Sequence, residues 1–312
     1  MATVTAASTA GSSTSRRRPD RGRRREVIAG YLFSLPFLLL FLVFTVGPVI
    51  ASFLMSFTDL RSADIRHPLA VGLVGFENYT KMFSDETFRK AAFNTAYFVV
   101  VGVPLTMGLA LAVAVALDTG ITRFRTFFRV GYYLPVVTSI VAVAVVWRFL
   151  LQPDTGIVNT LLGYVGIEGT SWLRSETWAM PSLIVMSAWR NMGALVIIFL
   201  AGLQVVPKEM HEAAAIDGAG EWGRFRHITL PLMRPTLLFG GVITMIGYLQ
   251  FFEEPFVMTR GGPLDSTLSA AYYTYNQFGF GNYSYAAAMA YVLFVVIALV
   301  TAVQFKLLGS KD

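Results

Sequence analysis

PKEMHEAAAIDGAGEWGRFRHITLP, Pro207 to Pro231, is a polar stretch set between two apolar segments each long enough to cross a bilayer. Pro207 suits the first position of a helix, where its missing N–H is no loss. Lys208 to Ile216 are mostly strong helix formers, with alanines at 213, 214 and 215. Asp217-Gly218 then breaks the run, because glycine readily takes the left-handed conformation that ends a helix. A second short helix is expected from about Glu221 to Leu230, with Trp222, Phe225 and Ile228 on roughly one face and Pro231 as its stop. Two short helices joined by a glycine turn and held between membrane spans make a stiff knob, suited to press on a partner. An amphipathic helix lying on the membrane surface would account for the aromatic face but not for the glycine hinge.

The chain around this knob is apolar. Of 312 residues, 55% are hydrophobic and only 14% charged, which excludes an ordinary soluble domain. Six spans are expected, at about 28–57, 91–117, 131–151, 180–204, 235–258 and 285–307. Pro36, Gly47, Pro48 and Pro104 fall inside them and are tolerable in membrane helices. The fold class is therefore all-α, a polytopic membrane protein with six transmembrane helices. Residues 1–26 read as a disordered basic cytoplasmic tail able to touch membrane lipid, and 27–312 as the transmembrane domain. The apolar run after the tail is too long for a secretory signal.

Charge sets the orientation. Sixteen Lys and Arg lie in the tail, the 118–130 and 205–234 loops and the C-terminus, against seven in the 58–90, 152–179 and 259–284 loops. The positive-inside rule then makes both termini and the 207–231 loop cytoplasmic. Arginines clustered beside spans argue for membrane contact, and no nucleic-acid partner is expected. The absence of cysteine removes disulfides and thiolate chemistry. His67, His211 and His227 are scattered, so no metal site is expected.

Glu212-Ala213-Ala214, Asp217-Gly218-Ala219, Phe225, Ile228 and Leu230-Pro231 stand at the spacing of the EAA loop of permeases from binding-protein-dependent ABC importers, a family this chain resembles. In that family the loop is the cytoplasmic coupling helix that docks into a cleft on the ATPase. Further segments extend the resemblance over all but the first 26 or so residues: Val74 to Tyr79 with Asn94-Thr95, Leu134-Pro135, Trp147-Arg148, Gly156 and Asn159. Thr259 with Gly261-Gly262-Pro263 is similar to a segment of the carbohydrate-type, MalF-like branch. Glu253 stands where many members have Asp, and Pro255 where they often have Ile.

The resemblance implies a permease subunit that imports a sugar or oligosaccharide by alternating access. It implies a second permease of similar fold, an ABC ATPase dimer and an extracytoplasmic solute-binding protein, in the plasma (inner) membrane of a bacterium. ATP and Mg would belong to the ATPase, with no cofactor on this chain. No G-x-x-x-x-G-K-[ST] phosphate loop occurs here, so the chain is not the ATPase and no enzymatic role is expected. In the coupling loop, Glu212 is the candidate for an ion pair with the ATPase, Ala213 and Ala214 for close approach, and Gly218 for the turn.

For the substrate pathway, Thr244, Tyr248 and Phe251 are spaced to share one helix face, with Gln250 and Glu253 beside them. Ser187, Arg190 and Asn191 form a second polar stripe in the fourth span. Aromatic faces and hydrogen-bonding side chains together suit a carbohydrate. Helix packing is the competing reading for Thr244, Tyr248 and Asn191. A polyol ester such as a glycerol phosphate is the alternative substrate, given Arg190. A stand-alone secondary carrier is the alternative class, although the inverted repeats typical of carriers are not evident.

Overall fold

The computed structural model describes residues 21–67, 71–119 and 125–308, so residues 1–20 of the expected tail lie outside it. Among the described residues every regular element is helical. The chain divides at Ser52 into two compact units. In the first, α1 (Arg21–Phe41) passes through a π-helical turn, Leu42–Val46, into α2 (Gly47–Met55). The amide of Gly47 reaches back to the carbonyl of Leu42, and Pro48 follows directly. That widened turn accommodates the proline, which has no N–H to give and whose ring would strike the carbonyl one turn back.

In the second unit the long helices are α4 (Glu86–Thr119), α8 (Ala179–Val205) and α15 (Tyr283–Leu308). With the helix over Glu26–Met55, three of them make four candidates long and apolar enough to cross a membrane. Two further helix pairs are bent, so among the described residues up to six candidate spans result when each bent pair counts as one. The expected third span is not a single helix. It breaks by 110° at Thr138-Ser139 into α5 (Arg125–Val137) and α6 (Ile140–Leu150). Pro135 removes a ladder donor just before the break, and the Thr138 hydroxyl takes the Leu134 carbonyl at 2.8 Å.

The expected fifth span, 235–258, is also interrupted. Its helix α12 (Arg234–Leu249) ends before Gln250, and a separate short helix, α13 (Glu253–Met258), follows. Three non-helical residues lie between them. The Phe251 carbonyl exposed by this break accepts a hydrogen bond from Ser269 Oγ at 2.7 Å. Ser269 also caps the following helix, α14 (Ala270–Gly279).

α4 packs along α8 and α12, and close approach is built in. A Cβ on Gly102 would fall 2.8 Å from the Tyr248 ring, and one on Gly240 would fall 2.9 Å from Phe199. Small residues at such crossings are the usual device in lipid, where apolar burial gives helices no reason to associate. Phe98, Leu183, Ile184, Met186, Tyr248 and Phe251 fill the middle of the bundle.

The segments that join the spans are tied down by side chains. Asn78 on α3 (Glu77–Ser84) donates to the carbonyls of Ser56 and Thr58 at 2.9 and 2.8 Å. Asn94 on α4 donates to the carbonyls of Asp265 and Leu268 at 2.7 and 2.9 Å. It thereby holds the loop in which Arg260, Leu264 and Asp265 all have positive φ. Asn159 on α7 (Ile157–Tyr164) bonds Pro153, Thr170 and the Trp172 indole.

Asp85, just ahead of α4, receives the hydroxyls of Tyr273 at 2.7 Å and Tyr285 at 2.8 Å, along with two backbone amides. Burial pushes its carboxyl up, but these hydrogen bonds outweigh burial and hold it below its ordinary value of 3.8. Burial and the Asp85 carboxylate push Tyr273 up to about 12. Asp85 should therefore stabilise fully above pH 3.8 and lose its contribution as pH falls below that value. Tyr273 should contribute fully below pH 10.0 and lose its share as pH rises toward about 12. The difference in unfolding midpoint between the unaltered protein and Asp85→Ala, measured in detergent, should be constant over the neutral range and shrink in acid. A difference that widens in acid would contradict the assignment.

Candidate functional site

The 207–231 knob has the expected start and turn. Helix α9 (Lys208–Ile216) begins directly after Pro207 and ends at Asp217. Gly218 has φ +83°, the left-handed region. Its amide bonds the Ala215 carbonyl at 3.1 Å, and the Ala219 amide bonds that of Ala214 at 2.8 Å. This pair of bonds is a Schellman termination, which satisfies two carbonyls the helix would otherwise leave open. Glu212, Ala213 and Asp217 are exposed, while Ala214 and Ala219 are half-buried. Ile216 and Trp222 are largely exposed, at 87% and 71%, so the knob presents an uncovered apolar surface. Glu212 makes no ion pair among the described residues.

Pro231 does not stop the second helix. α10 (Glu221–Arg224) leads through a π-helical turn, Phe225–Thr229, into α11 (Leu230–Leu232). The Leu230 amide reaches the Phe225 carbonyl immediately before the proline, the same arrangement seen at Pro48. Phe225 and Leu230 thus belong to one helical run that turns by 68° into α12, with Pro235 just past the corner. His211 on α9 lies 3.4 Å from Thr229, joining the two arms of the knob.

A cleft of about 510 Å³ opens between α8 and the junction of α12 with α13. It brings together Arg190, Asn191, Thr244, Tyr248, Gln250, Phe251 and Glu253, all expected on the pathway. Ser187 is not among its walls: it is fully buried and donates to Glu254 Oε1 at 3.2 Å. The expectation that Thr244, Tyr248 and Phe251 share a helix face holds only for the first two, because Phe251 lies beyond the end of α12. Glu254, next to Glu253, is 7% exposed and lines the cleft. The Ser187 contact that covers it is tertiary and has no local signature.

Several of these side chains already have protein partners. Phe251 stacks on Phe98 with centroids 3.9 Å apart and planes 1° from parallel. Tyr248 Oη lies 2.7 Å from Thr106 Oγ1. Thr244 bonds the Gly240 carbonyl of its own helix. Phe251 and Tyr248 thereby tie this region to α4, while Thr244 is satisfied within its own helix. Gln250 and Glu253 are exposed at the helix break, and Arg190 and Asn191 are half-buried. The Arg190 Nη1 donates to Asn191 Oδ1 at 3.3 Å, while its buried Nε has no partner.

An all-α bundle with bent candidate spans, a cleft carrying a few polar side chains and an exposed two-helix knob is the architecture of a membrane transport subunit. Residues 102–310 match the family described as the inner membrane component of binding-protein-dependent transport systems. The chain belongs to that family, whose members are ABC transporter permeases working with a separate ATPase component. It is 34% identical to the arabinooligosaccharides transport system permease protein AraP of Bacillus subtilis over 90% of this chain and 89% of the relative. It is 35% identical to the lactose transport system permease protein LacF of Rhizobium radiobacter, over 91% and 95% of the two chains. A solved bacterial alginate ABC transporter, in complex with an alginate pentasaccharide-bound periplasmic protein, contains a chain with TM-score 0.74 and 25% identity. That match covers 91% of this chain and 94% of the other.

Gly218→Ala should strain the left-handed turn by about 1–2 kcal/mol, although a Cβ there would meet no other atom. The expected result is faster proteolysis within 217–221 at unchanged protein yield. Wild-type protease resistance would show that the turn tolerates the side chain.

Proposed function

We propose that this chain is a permease subunit of an ATP-driven importer for a carbohydrate, a sugar or oligosaccharide. It works by alternating access with a second permease of similar fold, an ABC ATPase dimer and an extracytoplasmic solute-binding protein. The observation that carries this is the Schellman-terminated knob at 208–232, which leaves Glu212, Ile216 and Trp222 uncovered at one end of the bundle. A transport subunit driven by a separate ATPase needs such a rigid contact. The carbohydrate class rests on relatives named for arabinooligosaccharides and lactose and on the alginate transporter. The excess of Lys and Arg on the 207–231 side supports cytoplasmic termini and a cytoplasmic knob. ATP and Mg are handled by the ATPase, and this chain carries no cofactor.

Glu212 pairs with a basic group on the ATPase, Ala213 and Ala214 allow close approach, and Gly218 fixes the turn. Arg190, Asn191, Gln250 and Glu253 meet the substrate, with Thr244, Tyr248 and Phe251 shaping the wall behind them and Ser187 holding Glu254. The unpartnered Nε of Arg190 favours one second reading, a polyol phosphate whose anionic oxygens that guanidinium would receive.

Purification from native membranes in mild detergent should recover an ATPase in two copies and one second permease. Recovery of this chain alone would move a stand-alone carrier to the front. Glu212→Arg should abolish uptake while the binding protein still captures its ligand, assayed with lactose, arabino-oligosaccharides and glycerol 3-phosphate. Normal uptake by that variant would remove Glu212 from the coupling contact.

A further inference from the structure

Beyond the helix break, four aromatic rings gather at the end of the cleft away from the coupling knob. Phe252, itself a wall of the cleft, and Phe256 one turn later on α13 stack at 5.1 Å with planes 23° apart. Two tyrosines of α14 face them. Tyr272 meets Phe252 and Phe256 edge-on, each at 5.5 Å. Tyr275 lies 5.1 Å from Phe252 and 5.9 Å from Phe256. Tyr272 is 8% exposed and forms the floor, whereas Phe256 and Tyr275 are 41% and 52% exposed. Gln250 and Glu253, also exposed, place an amide and a carboxylate at the cleft side of the same cluster.

Rings that only seal a core are covered, and rings that only anchor a span in the membrane interface have no need to close around one another. Here a buried ring props two open ones beside hydrogen-bonding groups, and Phe252 connects them to the cleft it lines. A pyranose or furanose ring has an apolar C–H face that stacks on such a surface and a rim of hydroxyls that requires nearby donors and acceptors. The wall of the cleft itself cannot serve in this way, because Phe251 has its face taken by Phe98.

We propose that Phe256 and Tyr275, propped by Phe252 and Tyr272, form a sugar-stacking subsite at the outer mouth of the cleft. It receives one residue of an oligosaccharide before the chain enters between the helices. The subsite rests on the carbohydrate-import reading above, and the test separates the two.

The complete assembly, with both permeases, the ATPase and the binding protein in proteoliposomes, is assayed with lactose and with arabino-oligosaccharides. Tyr275→Leu and Phe256→Leu should each raise the half-saturating concentration of loaded binding protein roughly threefold to tenfold, the worth of one aromatic contact. Tyr275→Trp should restore it, and the emission it adds over the five native tryptophans of the unaltered chain should shift when sugar is added. Unchanged half-saturation in both leucine variants overturns the subsite. So does loss of the second permease on purification of Tyr275→Leu, which would make the rings a subunit interface. Quenching of Tyr275→Trp by brominated lipid with no response to sugar would assign the rings to the bilayer and also overturn it. Failure of the unaltered assembly to move any of these sugars would overturn the carbohydrate reading itself.

Discussion

Hydrocarbon offers no hydrogen-bond partner, so every backbone amide and carbonyl inside a membrane must be satisfied by the protein. Most features of this chain follow from that constraint. Where a span runs unbroken, the helix ladder answers it. At two prolines the ladder widens into a π-helical turn, once before Pro48 and again before Pro231, whereas Pro36 and Pro104 sit within continuous α-helix. Where a helix stops, a distant hydroxyl takes the freed carbonyl, as Ser269 does for Phe251 across 18 residues of sequence. The irregular backbone at residues 250–252 opens onto the cleft.

Polar side chains within the bundle divide into two groups by the same accounting. Tyr248 with Thr106, and Ser187 with Glu254, spend their hydrogen bonds on neighbouring helices. Arg190, Gln250 and Glu253 keep unspent capacity toward the cleft. Hydrogen bonds spent on packing and polar groups open to the cleft thus fall largely on different residues. They are an inner layer that fixes helix spacing and an outer layer that faces the opening.

Local chemistry made much of this legible in advance. The turn at Asp217-Gly218 announces itself because only glycine takes its conformation without strain, and the apolar runs declare their length directly. The two fractured spans were not legible. Thr138-Ser139 looks like ordinary membrane-helix sequence, and the break at Gln250 contains neither glycine nor proline. The second is completed by Ser269, 18 residues beyond Phe251, and the first follows Pro135, a residue that membrane helices commonly absorb without breaking. Pro231 misled for the opposite reason: a strong local breaker is absorbed by a wider turn four residues earlier. Seven of the eight residues singled out for the pathway line one cleft, and Ser187 does not. Which of them face the opening is decided by partners such as Phe98, Thr106 and Ser269, which no spacing rule relates to them.

The corner at Met233 gives α12 a mechanical character. Its 16 residues form a rod about 24 Å long, clamped at one end to the knob through a 68° elbow and freed at the other by the break before α13. A tilt of about 10° about the elbow sweeps the far end by about 4 Å, comparable to the thickness of a sugar ring. Under the proposed coupling role, a push at the short arm would be geared into a larger stroke at the long one. The side chain at the tip of that rod is Gln250.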